Sequence, residues 1–159
     1  MRAALLVLLA LVACGPGSPG GPTMNNRVNP EPPPPAIQSN DILDRDADTN
    51  RARVQHILIG WRGLRAEGEQ DGRAEARSRS EADELAVELL ERVRAGEPME
   101  QLMAEFSEDP GSSDTGEAYE VTPDASLVFE FKRLGLRLKV GEAGLVKSKF
   151  GWHVMKRIE

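Results

Sequence analysis

Apolar and polar residues alternate from Arg53 to Ile59, and a period of two predicts an extended strand there. The alternation sends Val54, His56 and Leu58 to one face and Gln55, Ile57 and Ile59 to the other, so both faces of this strand expect cover. From Trp61 to Arg79 the pattern fades: Arg62, Arg65, Arg73, Arg77 and Arg79 interleave with Glu67, Glu69, Asp71 and Glu75, which predicts a long loop with some helical content. Ala82, Leu85, Ala86, Leu89, Leu90 and Val93 then recur at helical spacing, with Ser80 and Asp83 as a capping-box-like start and Gly96 as the stop. Pro98 suits the first turn of a second helix carrying Met99, Leu102, Met103 and Phe106 on its core face. A turn-rich loop from Ser107 to Ser113 follows, then a short strand from Tyr119 to Val121. Asp124 is positioned to cap a third helix through Leu127, Val128, Phe131 and Leu134, and Gly135 ends it. Leu145 to Lys147 and Trp152 to Ile158 are the closing strands. The order βααβαββ predicts an α+β layer fold.

The first fifty residues pattern differently. Met1-Arg2 is a short positive start, and the apolar run from Ala3 to Ala13 is too short to span a bilayer, which takes about 20 residues. It has the length of a secretory leader, so residues 1–13 are expected to be a signal peptide. Leu11-Val12-Ala13-Cys14 resembles the bacterial lipobox, which makes Cys14, the sole cysteine, the expected lipidation site and the new N-terminus after cleavage. Durable anchoring takes more than one acyl chain, since a single chain binds marginally. A Gly at position 15 resembles the sorting preference for the outer membrane, so the chain is expected outside the cytoplasm, tethered to a bacterial membrane on its periplasmic side. Residues 14–50 are rich in Gly, Pro, Ser and Asn, include Pro32 to Pro35, and are expected to form a disordered linker. The cluster Asp41, Asp44, Asp46 and Asp48 at its end reads as a solvated stretch in preference to a metal site. The folded domain is then expected over residues 51–159.

A formal net charge of −6 argues against nucleic acid as a partner, because phosphate binding needs a basic surface. The arginines of the Trp61 to Arg79 loop are nearly cancelled by its acids, so no phosphate requirement is expected in a ligand either. The chain has two histidines, His56 in the first strand and His153 in the last. Each lies in an apolar run, and a buried imidazole needs a hydrogen-bond partner. On neighbouring strands the two rings can serve each other, one nitrogen donating and one accepting. They lack thiol or carboxylate companions at zinc-like spacing, and no metal is expected. A purely structural pairing and a functional one both fit the pattern.

His56-Ile57-Leu58-Ile59 near the start, Phe106-Ser107-Glu108-Asp109 after the second helix, Gly141-Glu142 before a strand and Phe150-Gly151-Trp152-His153-Val154 at the end resemble the parvulin-type peptidyl-prolyl cis–trans isomerases. The resemblance covers residues 51–159 in order. It implies an FKBP-like, four-stranded antiparallel sheet surrounded by helices, with two histidines meeting at its centre. It also implies catalytic positions at His56, Asp109, Ser148 and His153, a proline seat formed by Leu127 and Phe131, Phe150 at the rim, and Val121 where an aromatic residue is usual. The chain departs from the family at the Gly-Gly-Asp-Leu-Gly turn, which reads Thr115-Gly116-Glu117-Ala118-Tyr119 here. Tyr119 takes the place of a glycine, and the alignment between Asp114 and Thr122 can slip by a residue.

The chemistry of that family suits these side chains. Prolyl isomerisation is opposed by amide resonance, a barrier of about 18–20 kcal/mol, and a twisted amide is less polar than a planar one. An apolar seat favours the twisted form, a carboxylate at Asp109 acts on the rotating carbonyl region, and no covalent intermediate or cofactor is called for. Two readings follow: an isomerase acting on proline-containing polypeptides, secreted or of the envelope, or a non-catalytic module of the same fold that holds unfolded chains or docks into an envelope assembly.

Overall fold

The computed structural model describes residues 37–64 and 70–159. The predicted signal peptide, Cys14 and most of the predicted linker lie outside the described residues. Four strands, β1 (Ala52–Ile59), β2 (Tyr119–Val121), β3 (Ala143–Ser148) and β4 (Gly151–Arg157), form one antiparallel sheet in the order β2-β1-β4-β3. Among the described residues five helices accompany it: α1 (Asn40–Leu43), α2 (Gly72–Ala76), α3 (Arg79–Arg94), α4 (Met99–Phe106) and α5 (Phe129–Gly135). This is the α+β arrangement of a four-stranded antiparallel sheet surrounded by helices that the sequence implies.

The period of two in β1 and β4 divides the core. Ile57, Ile59, Leu145, Trp152 and Val154 face α3 and α4, whose buried residues include Ala82, Ala86, Leu89, Leu102 and Met103. Val54, Val146 and Met155 face the opposite way, against Ile42 of α1 and Phe131 and Leu134 of α5. Alternation also places both histidines on this second face. In the β1–β4 register His56 lies opposite Met155 and His153 opposite Leu58, so the two rings meet on the diagonal.

Two expectations about element starts are corrected. Helix α3 begins at Arg79, and its capping box uses Ser78 and Glu81: the Ser78 hydroxyl accepts from the Glu81 amide and the Glu81 carboxylate accepts from the Ser78 amide. Asp83, expected in that role, instead accepts from the Trp152 indole at 2.7 Å. Asp124 does not cap α5, because the Thr122 hydroxyl donates to its carboxylate at 2.7 Å and closes a local turn; the helix starts only after Val128. Inside the stretch expected as a loop with some helical content, Asp71 accepts from the Arg73 amide and starts the short helix α2.

The boundary at residue 50 is corrected as well. Ile42 and Leu43 of α1 are buried in the second core cluster. The backbone of Ser39 donates to Leu145, its hydroxyl accepts from the Leu145 amide, and Gln38 accepts from the Lys147 amide, which covers the outer edge of β3. Three of the four clustered aspartates form ion pairs, Asp41 with Arg45, Asp44 with Arg133 and Asp48 with Arg157. Truncating Ile42 to alanine is therefore expected to lower unfolding stability by about 2–4 kcal/mol. A chemical denaturation midpoint equal to that of the parent would show that α1 merely rests on the domain.

Candidate active site

β1, β4 and the loop after α4 build the site. His56 and His153 are each 4% exposed, with ring centroids 5.4 Å apart and planes inclined by 27°. Their Nδ1 atoms are 3.3 Å apart. The other nitrogens point outward along a line: His153 Nε2 lies 2.7 Å from Ser148 Oγ, and His56 Nε2 lies 3.2 Å from Asp109 Oδ2. A carboxylate has no proton to give, so His56 Nε2 donates to it. With both rings neutral, His56 Nδ1 must then accept from His153 Nδ1, and His153 Nε2 accepts from the Ser148 hydroxyl. The Phe150 amide donates to Ser148 Oγ at 3.1 Å. In this neutral form every donor in the string points toward Asp109.

Asp109 Oδ2 also accepts from the Ser112 hydroxyl at 2.7 Å and the Tyr119 hydroxyl at 2.9 Å. Burial alone would raise the carboxyl. Hydrogen bonds from His56 and Ser112, the attraction of His56 and the bond from Tyr119 outweigh it and hold Asp109 well below the usual carboxylate range. Tyr119 responds in the opposite sense, pushed up to about 12 by burial first and then by the Asp109 carboxylate. Burial is also the main cause that pushes His153 down to about 3, followed by repulsion from His56.

The loop that carries Asp109 is sewn to the end of β1. Glu108 donates its amide to the Leu58 carbonyl, and Ser107 Oγ accepts from the amides of Leu58 and Asp109. The Glu108 carboxylate accepts from the Gly60 amide and from Arg77 Nη1, both at 2.6 Å, while Arg73 donates to the carbonyls of Glu105 and Ser107. Buried, hydrogen-bonded ion pairs of this kind fix geometry more dependably than they add stability. Arg73 and Arg77 thus serve as braces for the loop bearing Asp109.

Above these groups opens a cleft of about 610 Å³, lined by His56, Asp109, Tyr119, Leu127, Phe131 and Phe150 among others. The Phe131 ring stands edge-on to both imidazoles, at 5.0 Å from His56 and 5.4 Å from His153. An apolar floor and a rigid polar string meet at one wall. Residues 40–159 match the family of PPIC-type PPIase domains. The chain belongs to that family.

Relatives of this PPIC-type domain include chaperone SurA of Pseudomonas fluorescens strain Pf-5, 34% identical over 121 residues, which is 72% of this chain and 25% of that protein. Foldase protein PrsA 4 of Bacillus cereus is 35% identical over 75 residues, 46% of this chain and 27% of that protein. A solved peptidylprolyl isomerase PrsA from Bacillus cereus superposes with a TM-score of 0.52 at 28% identity, over 77% of this chain and 39% of that one. The peptidyl-prolyl isomerase ESS1 from Candida albicans superposes with a TM-score of 0.59 at 22% identity, over 69% of this chain and 63% of that one, which shows the fold. The chain spans about a quarter of the length of the curated relatives it matches.

Within this parvulin fold, His56, Asp109, Ser148 and His153 come together as one string, and Leu127, Phe131 and Phe150 line the cleft beside it. Val121 does not join them. It is fully buried, lies opposite Ala52 in the sheet and packs close to Gly135 of α5, beneath the cleft. The aromatic wall comes from Tyr119, two residues earlier on the same face of β2, whose ring stands 5.3 Å from His56. Position 119 was visible in sequence as a departure from the glycine pattern, and its two-residue spacing from Val121 was the available signal.

Proposed function

We propose that this chain is a peptidyl-prolyl cis–trans isomerase acting on Xaa-Pro bonds without a covalent intermediate. The observation that carries this reading is the juxtaposition of a hydrogen-bonded string ending in an ionised Asp109 with an apolar seat formed by Leu127, Phe131 and Phe150. A pyrrolidine ring seated on Phe131 leaves its amide next to Asp109. Desolvation there favours the less polar twisted amide over the planar one, and the fixed carboxylate acts on charge that redistributes as the carbonyl rotates. His56 and His153 hold the carboxylate in place and supply no proton that the reaction needs.

The assay is protease-coupled or exchange NMR turnover of a short Xaa-Pro peptide by the full chain. Rates above the uncatalysed reaction support the reading, and a peptide that binds the cleft without faster exchange would overturn it in favour of a non-catalytic module that holds unfolded chains. The altered glycine turn, Thr115-Gly116-Glu117-Ala118-Tyr119, speaks for that second reading. The match to proteins called chaperone and foldase supports proline-containing or unfolded polypeptides as the ligand class in either case.

We further propose that Cys14 carries a lipid anchor that tethers the domain to the periplasmic side of a bacterial membrane, the outer membrane in a Gram-negative host. The support is the apolar run before Cys14 and the lipobox-like Leu11-Val12-Ala13-Cys14. Cys14→Ser should release the protein from the membrane fraction; its retention there, with the parent's fractionation unchanged, would remove the anchor.

A further inference from the structure

Three donors converge on Asp109 Oδ2, and one of them comes from Tyr119, which stands where the family pattern has a glycine. The same hydroxyl also occupies the space over Gly111. A Cβ built on Gly111 would collide with the Tyr119 hydroxyl oxygen, while Tyr119 Cζ would remain at 3.6 Å, an ordinary van der Waals contact. Positions 111 and 119 are therefore coupled through one oxygen atom.

We propose that Tyr119 is a positioning residue of this site, holding the Asp109 carboxylate in line with His56, and that Gly111 is its matched partner, kept bare to admit the hydroxyl. The effect on turnover rests on the isomerase reading; the geometric coupling does not. Tyr119 is well placed for the role because it opens β2, opposite Val54 of β1, and ties that edge strand to the loop carrying Asp109. Its ring stands 5.3 Å from His56 and 6.0 Å from Phe131, so the hydroxyl is aimed by rings that are themselves packed. Elevation of its phenol to about 12 keeps it a donor across the working range.

The groups that face Asp109 come from several elements. His56 arrives from β1 with His153 of β4 behind it, and Tyr119 arrives from β2. Ser112 comes from Asp109's own loop, where the Glu108 carboxylate is engaged by Arg77 and Gly60. Asp71 and Lys149 line the same cleft, Asp71 being paired with Arg73. Removing one donor weakens the preference of this site for the ionised carboxyl, so the Asp109 midpoint moves up in pH.

The test compares Tyr119→Phe, Gly111→Ala and the double variant in the full chain. Tyr119→Phe should fold, lose about tenfold in kcat/KM, and show its acid limb and the Asp109 carboxyl ¹³C midpoint moved up by about one pH unit. Gly111→Ala should be clearly destabilised, and adding Tyr119→Phe should restore most of that loss, because the colliding oxygen is gone. An additive cycle, or a Tyr119→Phe protein whose carboxyl midpoint matches the parent's, would overturn the proposal. If the parent itself shows no turnover, the isomerase reading fails, and the carboxyl titration and the cycle still decide the positioning role.

Discussion

Asp109→Ala is expected to lower kcat/KM for an Xaa-Pro peptide by about a hundredfold, with the fold retained. Asp109 is the end point of the whole string, and its removal strands three donors, from His56, Ser112 and Tyr119, on a site that no longer contains an acceptor. Asp109→Asn separates charge from shape: it keeps an oxygen for those donors but loses the negative charge, and should retain only part of the rate. An alanine variant within threefold of the parent would sink the assignment of Asp109.

The same substitution has a signature in acid. Because the folded protein holds Asp109 below the usual carboxylate range, its contribution to stability is complete above about pH 4 and disappears as pH falls through the folded value. His153 acts in the same direction over a higher window. Its folded value is pushed down to about 3, so between about pH 6.5 and that value the unfolded chain takes up the proton first and falling pH favours unfolding. Asp109→Asn should abolish the lower component of acid destabilisation and leave the upper one. Unfolding free energy measured between pH 7 and the acid transition checks both.

The largest stability loss is expected from Gly151→Ala, about 3–4 kcal/mol. Gly151 has φ of 136° and opens β4 directly after the two-residue connection from Ser148. A side chain there would meet the Ile59 carbonyl oxygen, with the Ile59 carbonyl carbon at 3.0 Å and Gly60 Cα at 3.3 Å. Backbone, not a flexible side chain, blocks the way. Relief requires prising the start of β4 away from the end of β1, which is also the register that sets His153 diagonal to His56. The variant should therefore unfold earlier and show disturbed imidazole resonances in whatever fraction remains folded. Stability within about 0.5 kcal/mol of the parent would show that the two strands tolerate separation here.

The central strands and the histidine pair are legible in the sequence for a simple reason. Histidine is scarce in this chain, both copies sit in apolar runs with clear alternation, and a period of two assigns each ring to a face. Asp109 and Ser148 needed the family resemblance, since nothing in their local pattern says that loop and hairpin fold back to the same point. Helix α1 escaped because it is a single turn among prolines and aspartates. Two buried side chains, Ile42 and Leu43, make no period, and its flanks are held by distant partners, Leu145 at Ser39, Glu142 at Arg45 and Arg157 at Asp48. The start of α3 lies two residues before the expected one because Ser78 and Ser80 both precede acids at capping distance, and local pattern does not choose between them. Val121 is expected at the cleft and Tyr119 is found there, because the two share a face of β2 and depth beneath the cleft, which separates them, is a property of the packed sheet.

The sheet order has a consequence for how the protein comes into being. Its two inner strands are the earliest and the latest of the four to be synthesised, so a nascent chain lacks both the middle of the sheet and one imidazole until its last strand has emerged. Helix α3 must wait for β3 and β4, on which it chiefly packs, and long-range pairing of this kind is slow compared with local closure. A domain built this way closes its sheet, and brings its two imidazoles together, only once β4 has been made.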